Sequence, residues 1–109
     1  MLILATQRRQ LSHAYAALVT VRWQDTVHTL VLQHHPAGPR RWQSRFYDTR
    51  ELTTTTLPAW ESATHEYPTD AIDALLEYLA PLGLPDDLIP LVNHLLPTSV
   101  IGAPPTLPD

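Results

Sequence analysis

From Tyr15 to His34 apolar and polar side chains alternate, break, and alternate again. In "YAALVTVRW", Tyr15 to Trp23, the apolar Val19, Val21 and Trp23 are interleaved with Thr20 and Arg22. "VHTLVLQH", Val27 to His34, is rich in β-branched residues. A period of two marks a strand with one buried face. Two strands are therefore predicted, joined at "QDT". A two-residue loop at Asp25-Thr26 would oppose Trp23 to His28, Val21 to Leu30 and Val19 to Leu32. The other side would pair Arg22 with Thr29 and Thr20 with Val31. That register separates an apolar face from a mostly polar one, and a slip of one residue would mix them.

"RWQSRFY", Arg41 to Tyr47, is predicted as the third strand. Alternation sends Trp42, Ser44 and Phe46 to the core and Arg41, Gln43, Arg45 and Tyr47 to the opposite side. "LTTTTL", Leu52 to Leu57, reads as a fourth, edge strand ended by Pro58. Residues 7–17 stay open between helix and strand, because Leu11, Ala14, Tyr15 and Leu18 also fit a helical period.

Beyond Pro68 the period becomes helical. Ile72, Leu75, Leu76 and Leu79 fall at i, i+3, i+4 and i+7, one apolar stripe. Thr69 or Asp70 is the expected cap, and Pro81 and Gly83 the stop. A second helix is predicted in "LPDDLIPLVNHLLP", with Leu88, Leu91, Val92, Leu95 and Leu96 on a broad apolar face. The expected architecture is α+β. An antiparallel sheet of three to four strands (about 15–57) is followed by two C-terminal helices (about 70–80 and 86–96) packed on one face. Residues 1–97 form one domain in this reading, and 98–109 a proline-rich flexible tail.

Composition changes the picture mainly through charge. The net charge of −4 hides a split. Residues 1–50 hold all seven arginines against Asp25 and Asp48, a net of +5. Residues 51–109 hold nine acids and no Lys or Arg, a net of −9. Such asymmetry points to a charged partner, unless the acidic half lies on the basic half. Four of the arginines, Arg40, Arg41, Arg45 and Arg50, share "PRRWQSRFYDTR" with three aromatics. With Trp42 and Phe46 turned to the core, the outer residues are Arg22, Arg40, Arg41, Arg45, Tyr47 and Arg50. They form the candidate partner-binding face, since an arginine fork suits carboxylate or phosphate.

The chain has no lysine, 11 prolines and a single asparagine. That composition fits a GC-rich, bacterial genome. Without cysteine there is no disulfide, thiol nucleophile or cysteine-ligated zinc, which suits a reducing compartment. The N-terminus lacks the long apolar stretch of a secretory signal, and no run reaches the ~20 apolar residues of a membrane span. A soluble cytoplasmic protein is expected.

Candidate chemistry is sparse. Adjacent His34 and His35 point to opposite faces of a strand. His28 and His34 are about 20 Å apart at strand rise, too far to share a metal. No serine sits in a glycine-rich elbow, and Asp86-Asp87 is accounted for by helix capping. No catalytic residue, metal site or cofactor is assigned. The leading expectation is a small non-catalytic interaction protein. It binds a protein partner or itself through the basic sheet face and an apolar helix surface at Leu88, Leu91 and Leu95. The alternatives are a nucleic-acid-binding domain using the arginine face, and a small hydrolase or nuclease whose site assembles in space.

Overall fold

The computed structural model describes residues 2–10, 14–34, 41–83 and 89–97. They form a small α+β domain, a five-stranded antiparallel sheet followed by two C-terminal helices packed against it. The strands are β1 (Leu2–Gln10), β2 (Tyr15–Trp23), β3 (Thr26–His34), β4 (Trp42–Tyr47) and β5 (Trp60–Glu61). They neighbour one another in chain order, a plain meander. The helices are α1 (Pro68–Leu79) and α2 (Ile89–Leu95).

The face predicted to be apolar is the buried one. Val19, Val21, Leu30, Leu32 and Phe46 lie under α1 and α2, packed on Ala71, Ile72, Leu75, Leu79, Leu91 and Leu95. Helix α1 covers β3 and β4, while α2 covers β1 and β2. Burying each leucine is worth roughly 1.5–3 kcal/mol. Small residues let α1 approach the sheet: Ser44, wholly buried, donates its hydroxyl to the Ala71 carbonyl at 2.8 Å.

The β2–β3 register differs from expectation by two residues. Trp23 pairs with Thr26, Val21 with His28 and Val19 with Leu30. The loop is Gln24-Asp25, with φ of 53° and 64°. Two left-handed residues match the twist of the flanking strands. The β-branched Thr26 is a poor host for positive φ, so it joins the strand instead. A shift of two keeps every side chain on its predicted face, because the period is two.

Residues 2–10 are strand rather than helix. Eight of the nine residues of β1 pair along β2, Leu4 being passed over at an irregularity between Ile3 and Ala5. Leu11, Ser12 and His13 lie outside the described residues. "LTTTTL" is not a strand but a turn-containing loop. The Thr53 hydroxyl accepts from the Thr55 amide at 3.3 Å, and the Thr56 hydroxyl accepts from the Thr53 amide at 2.9 Å. Side-chain oxygens thus take the donors a ladder would have used. The place beside β4 goes to the two-residue β5, whose Trp60 stacks on Tyr78 of α1 at 4.7 Å.

Helix α1 starts earlier than predicted. Tyr67 occupies the cap with no side-chain bond, and Pro68 opens the helix. Proline suits this place because its missing N–H would have had no partner there. The helix ends as expected: a 3-10 turn, Ala80–Leu82, closes on Gly83 at φ 82°. Of the predicted span 86–96, the described part of α2 begins at Ile89, with Pro90 in its first turn. The C-terminal carbonyls of α2 are held by the sheet. Tyr15 donates its hydroxyl to the Leu95 carbonyl at 2.7 Å, and Arg8 Nη2 donates to the Asn93 and His94 carbonyls, each at 3.1 Å. The tail 98–109 lies outside the described residues. Among those described, no helix is long and apolar enough to cross a membrane.

Replacing Gln24-Asp25 by Asn-Gly (Gln24→Asn with Asp25→Gly) should stabilise the fold by roughly 0.5–2 kcal/mol. A urea midpoint that rises at constant slope would bear this out, and a fall would contradict the turn type. Burial raises the Tyr15 hydroxyl above the ordinary tyrosine value of 10.0, an effect partly offset by Arg8. The unfolded chain then loses this proton first, so the Tyr15 contribution is intact below pH ~10 and declines as pH rises further. Tyr15→Phe should cost about 0.5–1.5 kcal/mol at neutral pH and should flatten the alkaline decline in urea titrations between about pH 8 and 11.

Candidate interaction surface

Because both helices pack on one face, the other face of the sheet is free of them. The strand register sets its rows. Leu2, Arg22 and Val27 lie side by side at one end. Ala5, Thr20, Thr29 and Tyr47 form the next row, then Gln7, Leu18, Val31, Arg45 and Glu61. Arg9, Ala16, Gln33 and Gln43 follow. The middle of the face is therefore apolar or hydroxyl-bearing, and its arginines lie mostly towards the ends.

Arg45 does not behave as the other arginines do. Its Nε donates to Glu61 Oε2 at 3.0 Å, its Nη2 to Gln43 Oε1 at 2.9 Å, and its Nη1 to Gln33 Oε1. Gln43 is held in turn by the Ser62 carbonyl, to which its amide donates at 2.7 Å. All three guanidinium nitrogens are engaged within the sheet. Arg8 is likewise committed, to α2. Arg9, Arg22, Arg41 and Arg50 are exposed, and their side chains carry no hydrogen bond or ion pair among the described residues. Arg40 lies outside the described residues. Tyr47 is half-buried in the sheet row beside Thr29, at the end of β4 beyond its two pairs with β5.

The charge split takes a simple spatial form. Asp70, Asp73 and Glu77 are exposed on α1, on the helix layer. Arg22 and Arg45 belong to the opposite sheet face. The acidic helix therefore does not cover the basic face. Among the described residues, Arg45–Glu61 is the one arginine–carboxylate pair that joins the two halves of the chain.

The segment after β4 crosses this face at one end. The Thr29 hydroxyl, almost fully buried, donates to the Thr49 carbonyl at 2.7 Å and lies 3.4 Å from that of Arg50. These contacts bring Arg50 and Leu52 above the sheet. There they border an open cleft of about 290 Å³, with Ala5, Thr6, Gln7, Leu18, Thr20 and Thr29 completing its lining. Arg50 was expected on this face. Leu52 was placed in a strand, and only the threonine-rich spacing hinted that its segment could turn. Leu91 and Leu95, expected at an interface, are buried under the sheet with 0% and 1% exposure. Their apolar stripe is consumed by the core. Leu88 lies outside the described residues.

His28 has a different setting. Its Nδ1 lies 3.1 Å from Asp48 Oδ1. An ionised carboxylate only accepts, so Nδ1 carries the hydrogen. Nε2 is buried without a hydrogen-bond partner. The ring packs between Trp23 at 5.9 Å and Phe46 at 5.0 Å. Orientation by a carboxylate resembles that of a catalytic base, but this Nε2 is shut away from solvent and from any nucleophile. Among the described residues, no three His, Asp or Glu side chains gather to hold a metal. No family model, no curated protein and no solved structure matches the chain.

Glu61 is half-exposed, at 48% of its side chain, so its pair with Arg45 is screened by water. Arg45→Gln should cost no more than about 1 kcal/mol. A larger loss in urea denaturation would show the network to be a structural keystone of β4.

Proposed function

We propose that the domain is a docking module that binds an acidic segment of a protein partner on the outer face of its sheet. One observation carries the reading: four exposed arginines without ion-pair partners border a half-buried apolar centre. Arg9 and Arg22 share rows with Ala16 and Val27, Arg50 shares a cleft with Leu18 and Leu52, and Arg41 directly precedes β4. Protein interfaces combine an apolar middle with a polar rim, and arginine is enriched in them. An acidic partner also suits the lopsided charge, because its approach to the basic face leaves the acidic helix layer on the far side. The internal pairing of Arg45 favours a protein over a nucleic acid, since it removes the central cation of the face from phosphate contact. Trp42 and Phe46, turned to the helix side, are not available as a stacking platform. A cysteine-free chain fits a cytoplasmic setting for this role.

The test is fluorescence anisotropy with two kinds of probe. One is a labelled acidic peptide with interspersed leucines; the other is labelled single-stranded and duplex DNA and RNA. Each is measured at about 50 and 200 mM salt, a range over which phosphate-mediated binding falls by orders of magnitude. The peptide should bind and should be weakened in the Arg22→Glu, Arg41→Glu double variant. Tighter binding of nucleic acid, steeply salt-dependent and lost in the same variant, would transfer the face to nucleic-acid recognition. Failure of every probe would remove the reading.

A further inference from the structure

Within the outer face, the cleft at Arg50 has a composition of its own. Leu18 and Leu52 give it an apolar wall and floor. Thr20 and Arg50 also line it, and the exposed Arg50 guanidinium has no ion-pair partner among the described residues. The Arg50 backbone, although outside the strands, is held as well. Thr29 bonds to the carbonyls of Thr49 and Arg50 from the sheet beneath, so less backbone freedom is lost when the side chain engages a ligand. The nearest acids of the same segment do not neutralise Arg50: Asp48 is bonded to His28, and Glu51 is exposed with no ion pair.

We infer that this cleft is the anchor site of the docking face, and that it accepts a carboxylate side chain of the partner next to an apolar one. The carboxylate meets the Arg50 fork, which offers two parallel N–H donors. The neighbouring apolar side chain lies on Leu18 and Leu52. The volume, about 290 Å³, is at the small end of ligand pockets and suits one or two side chains rather than a bulky cofactor. This inference rests on the docking reading and narrows it, because it assigns the specificity of the face to one end of it.

The experiment is a titration of isotope-labelled protein with the terminally blocked dipeptide Leu-Glu, followed in amide correlation spectra. Blocked Leu-Gln and inorganic phosphate serve as the comparison probes. Leu-Glu should give saturable shifts at Ala5, Gln7, Leu18 and Thr20. Leu-Gln should bind about tenfold more weakly or worse, as expected for loss of a charge-assisted bond. Arg50→Gln should weaken Leu-Glu to the same extent, and Glu77→Gln, exposed on α1 in the helix layer, should leave it unchanged. Equal shifts from Leu-Gln, equal shifts from phosphate, persistence in Arg50→Gln, or no shift at about 10 mM Leu-Glu, far weaker than the millimolar affinities of small fragments, would each overturn the anchor. The wider docking reading is judged separately, by the Arg22 and Arg41 variants against the longer peptide. The anchor can therefore fail while that reading stands.

Discussion

Strands β2 and β3 run together from Tyr15–Trp23 to Thr26–His34, paired along their whole length, and the other elements are arranged around that pairing. It places Ala17, Val19 and Val21 beside Leu30 and Leu32 on one side. Two short helices supply enough apolar surface to cover that side and no more. Every leucine of α1 and α2 that is fully buried is spent on the same core. The opposite face is left to water and to the β4–β5 loop. The asymmetry of the molecule thus begins as a shortage of apolar side chains, since a two-layer domain of this size has one core to fill.

Charge follows the same division. Asp70, Asp73 and Glu77 sit on the exposed side of α1, while Arg22, Arg41 and Arg50 are exposed on or beside the sheet. Arginines are not equivalent in this setting. Arg8, on the core side of β1, reaches past the edge of the sheet to the last carbonyls of α2, where a cation is favoured by the helix dipole. Arg45 is absorbed by Glu61, Gln33 and Gln43. Two of the seven arginines are therefore structural, and those left unpaired define the candidate surface.

The sheet edges differ in a way that matters for solubility. On one side the sheet ends in β5, only two residues long. On the other it ends in β1, nine residues long. A long edge invites pairing with other chains. The irregularity between Ile3 and Ala5 and the adjacent charges of Arg8 and Arg9 both act against it, because a break in the ladder and a pair of cations discourage a further strand.

Periodicity alone determined the α+β class, both faces of β2, β3 and β4, the apolar stripe of α1 and the segregation of charge. These depend on which side of an element a residue occupies, and that side is set by spacing along the chain. Tertiary structure decided what spacing does not encode. The turn moved to Gln24-Asp25 because two residues had to adopt positive φ. Residues 2–10 became a strand because β2 offered a free edge, and a helical period in their neighbours could not show it. "LTTTTL" was excluded from the sheet when its hydroxyls took the local backbone donors and β5 took the edge of β4. The site was legible in the same measure. Arg22, Arg41, Arg45, Tyr47 and Arg50 were assigned to the outer face by alternation and loop position. That Arg45 is neutralised, that Leu91 and Leu95 are core, and that Leu52 closes a cleft with Leu18 depend on contacts between segments remote in sequence. Such contacts exist only once the chain has folded.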